Sequence, residues 1–331
     1  MKFNAQWGAT AAVALALIIA PAVFYPVLVM KAVCFALFAL SFNLLLGHVG
    51  LLSFGHAAFF GTGAYLVGYV LRDLGLPTEL GLLAALVGSG LLGLFFGWLA
   101  IRKEGIYFSM ITLGLGQMIY FLCLKAPITG GEDGMQGIPR GLGVALIDLS
   151  RDIYLYYYIL AIFFGCVFVM RRIIQSPFGE LLLAIGQNER RAMSLGYDVR
   201  QFKLITFTVS AAFAGLAGAL KVLVLGVATL VDVEWQMSGH VILMVLLGGV
   251  GTFWGPVVGA IVIIGLENKL GDIGMYLASV TGIEGFQKIG ESVPTAMGVI
   301  FILCVLVCRR GIVGEIVKLL PIKRDTDLST P

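Results

Sequence analysis

The feature that most restricts this chain is its series of long apolar runs, at about 9–30, 32–46, 51–71, 80–100, 105–124, 153–170, 204–226, 238–266 and 293–308. Runs of this length are hidden either by a very large core or by a bilayer. Composition decides between them. Of 331 residues, 59% are hydrophobic and only 12% charged, half the roughly 25% of a soluble domain. The 22 basic and 19 acidic side chains cannot coat the surfaces of two globular units, and the mean hydropathy is +0.99. The expected fold is therefore all-α: a polytopic transmembrane helical bundle of about 8–10 spans over residues 1–308, followed by a tail, 309–331. The 44 glycines fit that reading, since small residues let helices approach closely in lipid and let the backbone break over a cavity.

Lys2, the run Ala9–Ile19 and the triplet Ala20-Pro21-Ala22 imitate a signal peptide, but the apolar stretch continues to Met30, so a retained first span is expected. The cysteines (Cys34, Cys123, Cys166, Cys304, Cys308) lie in or beside apolar runs without C-x-x-C spacing and read as small buried hydrophobes.

The charges set an orientation. The N-terminus, the turn Arg102-Lys103, the loop 171–203 and the tail hold 14 Lys and Arg against 7 acids. The opposite side, including Lys31, the loop 125–152 and the segments 227–237 and 267–292, holds 7 basic residues against 12 acids. The positive-inside rule makes the first side cytoplasmic, with both termini there. Such short clusters between apolar runs are a topology signal, not a nucleic-acid surface. Lys221, within a span near its outer end, is expected to snorkel. Crossing parity requires the run 238–266 to enter and leave on the outer face, turning back near Gly248-Gly249-Val250-Gly251-Thr252-Phe253-Trp254-Gly255-Pro256.

Leu45-Leu46-Gly47-His48-Val49-Gly50 and Leu246-Leu247-Gly248-Gly249-Val250-Gly251 share the pattern L-L-G-x-V-G, and an aromatic-Gly pair follows each. Gly-interrupted apolar segments in two halves of a chain point to a transport path, because unwound backbone is tolerated at membrane depth only where it lines a cavity. The other reading is that these glycines are close-packing contacts between helices. On the first reading Gly47, Gly50, Ser53, His56, Gly248, Gly251, Thr252 and Gly255 are the candidate pathway residues.

The chain carries little that could power transport. Ion-coupled carriers place Asp, Glu or His within their spans, and here only Lys221, Glu267 and the three histidines, His48, His56 and His240, lie near them. There is no G-x-x-x-x-G-K-[ST] motif, so no ATP site of that kind. Nor do these residues assemble the paired aspartates, H-E-x-x-H or serine–base arrangement of an intramembrane enzyme, or the carboxylates and thiolates that would complete a metal site.

The loop 171–203 has the make-up of a contact with a partner. Ser176-Pro177 reads as a helix cap and first residue, Glu180 adds negative charge in the first turn, and Leu181, Leu182, Leu183 and Ile185 supply an apolar body. Asn188 is placed to cap a second short helix containing Glu189, Arg190 and Arg191, and Gly196 to stop it. The pair of helices presents either a knob to a soluble protein or an interfacial surface to anionic lipid.

The stretch Ser176–Leu220 resembles the cytoplasmic coupling region and following span of branched-chain amino acid ABC transporter permeases of the LivM type. So do the segments at 43–65 (NLLLGHVGLLSFGHAAFFGTGAY), 129–139 (TGGEDGMQGIP) and 246–260 (LLGGVGTFWGPVVGA), which spread the likeness over roughly 32–308. The resemblance implies an importer of the bacterial inner membrane with a second, homologous LivH-type permease subunit, two cytoplasmic ATP-binding subunits that carry ATP and Mg, and a periplasmic binding protein. This chain would itself bind no cofactor and would not be an enzyme. Of the importer coupling motif E-A-A-x-x-x-G, Glu180 and Gly186 match the ends while Leu181 and Leu182 replace the alanines. Ala184-Ile185-Gly186 with Asn188-Glu189 is the form this branch takes. The resemblance assigns coupling to Ser176, Pro177, Glu180, Ala184, Gly186, Asn188, Glu189, Arg190 and Gly196. It turns the outer loop toward the binding protein, with Glu132 and Asp133 as docking candidates. It also leaves open branched-chain or other hydrophobic amino acids, urea or short amides as substrate; an ATP-independent channel is the rival class.

Overall fold

The computed structural model describes residues 17–22, 24–140, 149–281 and 311–319, with a few single positions between 295 and 306. The start of the first apolar run, the segment 282–292, most of the run 293–308 and the tail after 319 lie outside the described residues. The helices are α1 (Pro26–Val49), α2 (His56–Arg72), α3 (Thr78–Ala100), α4 (Ile106–Lys125), α5 (Asp152–Ile174), α6 (Pro177–Gln187), α7 (Glu189–Ser194), α8 (Val199–Leu225), α9 (Trp235–Gly248), α10 (Gly255–Thr281) and α11 (Gly311–Leu319). One isolated antiparallel bridge, Met135–Ala228, is the only β pairing among the described residues. Of these helices α1, α3, α4, α5 and α8 are long and apolar enough to cross a membrane. The all-α, multi-pass membrane bundle expected from hydropathy is what forms.

The centre of the bundle is α8, packed on α1, α2 and α3. The apolar stretches of α1 and α8 are 78% and 72% buried within the protein, against 28% for α4, so α4 is peripheral and turns most of its apolar surface outward. Small residues make the centre possible. The buried face of α8 carries Ala211, Ala214, Gly215, Ala217 and Gly218, and a Cβ on Gly218 would lie 1.9 Å from the Phe60 carbonyl oxygen of α2. Without a hydrophobic force between helices in lipid, close backbone approach of this kind is what holds them. Gly218→Val is expected to lower stability by about 1–3 kcal/mol, the usual cost of overpacking, read as a fall in melting temperature of the detergent-solubilised chain. An unchanged melting temperature would contradict this packing.

Three expectations meet the structure here. Lys31 does not separate two spans: α1 is continuous through it from Pro26, which needs no N–H partner at the first helical position. Helix α10 does not end at 266 but runs to Thr281. Its charged residue Glu267 is accommodated by Lys31 Nζ at 3.5 Å and His240 Nε2 at 3.6 Å. The run 238–266 breaks and turns back as expected. A Cβ on Gly259 would lie 1.9 Å from the Met244 carbonyl oxygen and one on Gly248 would lie 1.8 Å from that of Gly255, which makes α9 and α10 an antiparallel hairpin. With 14 residues, α9 is about 21 Å long, short of a ~30 Å hydrocarbon core.

Candidate functional site

The two glycine-rich breaks, 208 and 209 residues apart in their bonded pairs, are brought together at one end of the bundle. Helix α1 ends on Gly50 and the α9–α10 turn passes through Gly251, with φ of +77° and +75°, a left-handed conformation that costs glycine nothing. The breaks touch directly, since a Cβ on Gly47 would lie 2.8 Å from the Gly251 nitrogen. Between them stands Asn43, buried in the last turns of α1. Its Nδ2 donates to the Thr252 carbonyl at 3.0 Å and its Oδ1 accepts from the Gly251 N–H at 3.0 Å. The Thr252 hydroxyl donates to the Gly249 carbonyl at 2.7 Å. The Gly251 N–H and the Thr252 hydroxyl, both of candidate pathway residues, are thus engaged within the protein.

Of the remaining pathway candidates, Ser53 and His56 lie in and after the first break. The Ser53 hydroxyl is buried without a hydrogen-bond partner. The next helix opens on His56, fully buried, with Nε2 at 3.1 Å from the Ser210 hydroxyl, which donates to the Ser41 carbonyl at 2.5 Å. Phe38 stacks on the imidazole, and Phe42, Phe59 and Phe207 meet it edge-on at ring-centroid distances of 5.2–6.4 Å. Gly248 and Gly255 are buried within the hairpin, whereas Gly50 and Gly251 are exposed.

Against this same end packs α6. It is amphipathic, burying Gly179, Leu182 and Ile185 and exposing Glu180, Leu183 and Ala184. Gly186 explains itself: a Cβ there would lie 2.5 Å from the His48 carbonyl oxygen, so α6 reaches the end of α1 backbone to backbone. Asn188 caps α7 by accepting from the Arg191 N–H at 3.0 Å, and Gly196 leaves the helix at φ +90°, both as expected. Ser176 sits at the cap position of α6 without capping it; its hydroxyl turns back to the Ile173 carbonyl at 2.7 Å. Glu189 is tied inward, 2.6 Å from the buried Lys203 of α8. Pro177, Glu180, Ala184, Arg190 and Gly196 are exposed. Helix α11 completes the cluster, a Cβ on Gly311 lying 2.4 Å from Gly249 Cα.

At the opposite end the chain forms a structured cap. The 3-10 turn Gly131–Asp133 carries the exposed Glu132 and Asp133. It is followed by the Met135–Ala228 bridge, with N–H to O distances of 2.8 and 2.9 Å. Arg140 binds the Asp152 carboxylate at 2.5 Å and the Val224 carbonyl at 3.2 Å. Lys221 does not snorkel. It is buried and holds both carboxylate oxygens of Asp232, at 2.9 and 2.7 Å, because the segment after α8 folds back over it.

The sequence signal for Asn43 was a lone amide inside an apolar run, the kind of polar residue a span does not carry idly. For Lys203 and Asp232 no local signal existed; each looks like an ordinary charge flanking a span.

Residues 26–308 match the family described as branched-chain amino acid transport system / permease component. The high-affinity branched-chain amino acid transport system permease protein LivM of Escherichia coli (strain K12) is 29% identical over 265 residues, 73% of this chain and 62% of that protein. The probable branched-chain amino acid transport permease protein LivM of Methanocaldococcus jannaschii is 24% identical over 188 residues, 54% of this chain and 53% of that one. The galactose/methyl galactoside import permease protein MglC of Salmonella typhimurium is 26% identical over 171 residues, 50% and 49% of the two chains. The chain therefore spans less than two thirds of the length of these relatives. No solved structure matches it. A multi-pass helical bundle whose glycine breaks converge beneath a short helix pair, matched along 26–308, places the chain in the branched-chain amino acid transport system / permease component family.

Proposed function

We propose that this chain is the membrane-spanning permease subunit of an ABC importer in the bacterial inner membrane, moving branched-chain or other hydrophobic amino acids. The basic end, with α6, α7 and α11, faces the cytoplasm, and two ATP-binding subunits dock on the exposed face of α6–α7. A second, homologous permease completes the path, and a periplasmic binding protein delivers substrate near Glu132 and Asp133. The substrate class follows from the LivM relatives; the carrying observation is mechanical. Helix α6 is exposed on one side and, through Gly186, rests on the end of α1 where the two glycine breaks meet. A partner that moves α6 therefore moves the breaks, which act as the inner closure of the path.

Deleting residues 176–196 tests this in vesicles containing the assembled complex. An ATP-driven importer loses substrate-stimulated ATP hydrolysis and concentrative uptake. Persistent downhill flux through the deleted chain, equal to that of the intact one, would instead identify a channel.

A further inference from the structure

We infer that Asn43 is a positioning residue that latches the cytoplasmic closure of the transport path, an assignment that rests on the permease reading above. Among the described residues its amide is the one side chain that joins the two breaks through hydrogen bonds of both senses, accepting from the Gly251 N–H and donating to the Thr252 carbonyl, each at 3.0 Å. The bonds run to backbone of a turn that no regular helix supplies with partners. Opening the breaks therefore strands a donor and an acceptor together unless water enters, which is the condition of an open inner path.

The latch lies within reach of the moving part. Asn43 is just over one helical turn before His48, whose carbonyl oxygen lies 2.5 Å from where a Cβ on Gly186 of α6 would sit. A displacement of α6 acts first on that carbonyl at the end of α1, and α1 is the helix that carries the amide. Helix α1 and the hairpin are also tied at the other end, by Lys31 and Glu267. That pair is partly exposed and is the weaker tie by the usual measure of exposed ion pairs. The Asn43 bonds are therefore the stronger of the two ties between α1 and the hairpin, and they are what a displacement of α6 must release.

The test uses the assembled complex with this chain carrying Val250→Cys, a half-exposed position in the hairpin turn beside the latch. Cys34, Cys123 and Cys166 are buried, and Cys304 and Cys308 are replaced by Ser in every version of the chain tested. Labelling of that cysteine by a membrane-impermeant maleimide from the cytoplasmic side is expected to change at least severalfold between nucleotide-free and nucleotide-bound complex. In an Asn43→Ala background it should become insensitive to nucleotide. In the same vesicles Asn43→Ala is expected to raise the ATP hydrolysed per substrate transported about tenfold, the factor equivalent to about 1.4 kcal/mol. Asn43→Asp should behave likewise, since a carboxylate accepts from Gly251 but cannot donate to Thr252. Nucleotide-independent labelling in the unaltered background, or an unchanged ATP-to-substrate ratio in both variants, overturns the latch. Failure of the parent complex to show ATP-dependent uptake would overturn the permease reading instead.

Discussion

Gly186→Val is expected to cut ATP-driven uptake by about tenfold or more while the chain still inserts and assembles. The added Cβ would lie 2.5 Å from the His48 carbonyl oxygen and 3.4 Å from the carbonyl carbons of His48 and Val49. All three are backbone atoms that cannot rotate away, so α6 must lift off the end of α1. Overpacking of this kind typically costs 1–3 kcal/mol, and a factor of ten is about 1.4 kcal/mol. The cost falls on the contact that passes motion from α6 to the glycine breaks, so function should suffer more than folding. Uptake and substrate-stimulated ATP hydrolysis, measured at matched expression, should drop together, with Gly186→Ala intermediate. Gly114→Ala is the control, because a Cβ there meets nothing within 4 Å. Full uptake by a well-expressed Gly186→Val chain would break the link between α6 and α1.

The second large effect belongs to the opposite end. Lys221 and Asp232 are an ion pair with side chains 8% and 2% exposed, and Asp232 also accepts from the Thr229 N–H at 3.0 Å and its hydroxyl at 3.1 Å. Removing one partner leaves a buried charge uncompensated, so Lys221→Met or Asp232→Leu alone is expected to cost about 3–5 kcal/mol. Replacing both by apolar residues of similar volume removes the unpaired charge and should recover most of that loss. Melting curves of the solubilised single and double variants provide the comparison. The pattern matters more than the size: single variants as stable as the parent, or a double variant worse than either single one, would show that the pair does not hold the segment 227–233 onto α8. That segment also pairs with Met135 beside Glu132 and Asp133, so the single variants should loosen the cap at that end as a whole.

The permease reading needs both ends. At the exposed face of α6–α7 the chain offers partners a handle, and directly beneath it the backbone is interrupted twice at one place. At the other end a cap is fixed by the Met135–Ala228 bridge, Arg140 and a buried ion pair. Under the proposed function the glycine breaks serve as the inner closure and this cap faces the delivered substrate, a role for the breaks that close packing alone does not give.

Taken alone, the sequence settled what depends on local and additive properties. Hydropathy summed along a run is enough to decide that a segment belongs in lipid, so the helical membrane bundle and the turn-back between α9 and α10 were legible. Local backbone preferences placed α6 after Ser176 and the Asn188 cap of α7. Where charge was read only as a boundary, the reading failed: Lys31 lies inside α1 and Glu267 inside α10, because each finds the other across the fold. Lys221 was read as snorkelling for want of Asp232. The tertiary structure alone decided that Gly47 would meet Gly251, that Asn43 would bridge them and that Gly186 would rest on His48. These contacts join segments far apart in the chain, and their stability lies in the pairing of backbone groups and the fit of small residues, which exist only once both partners are placed.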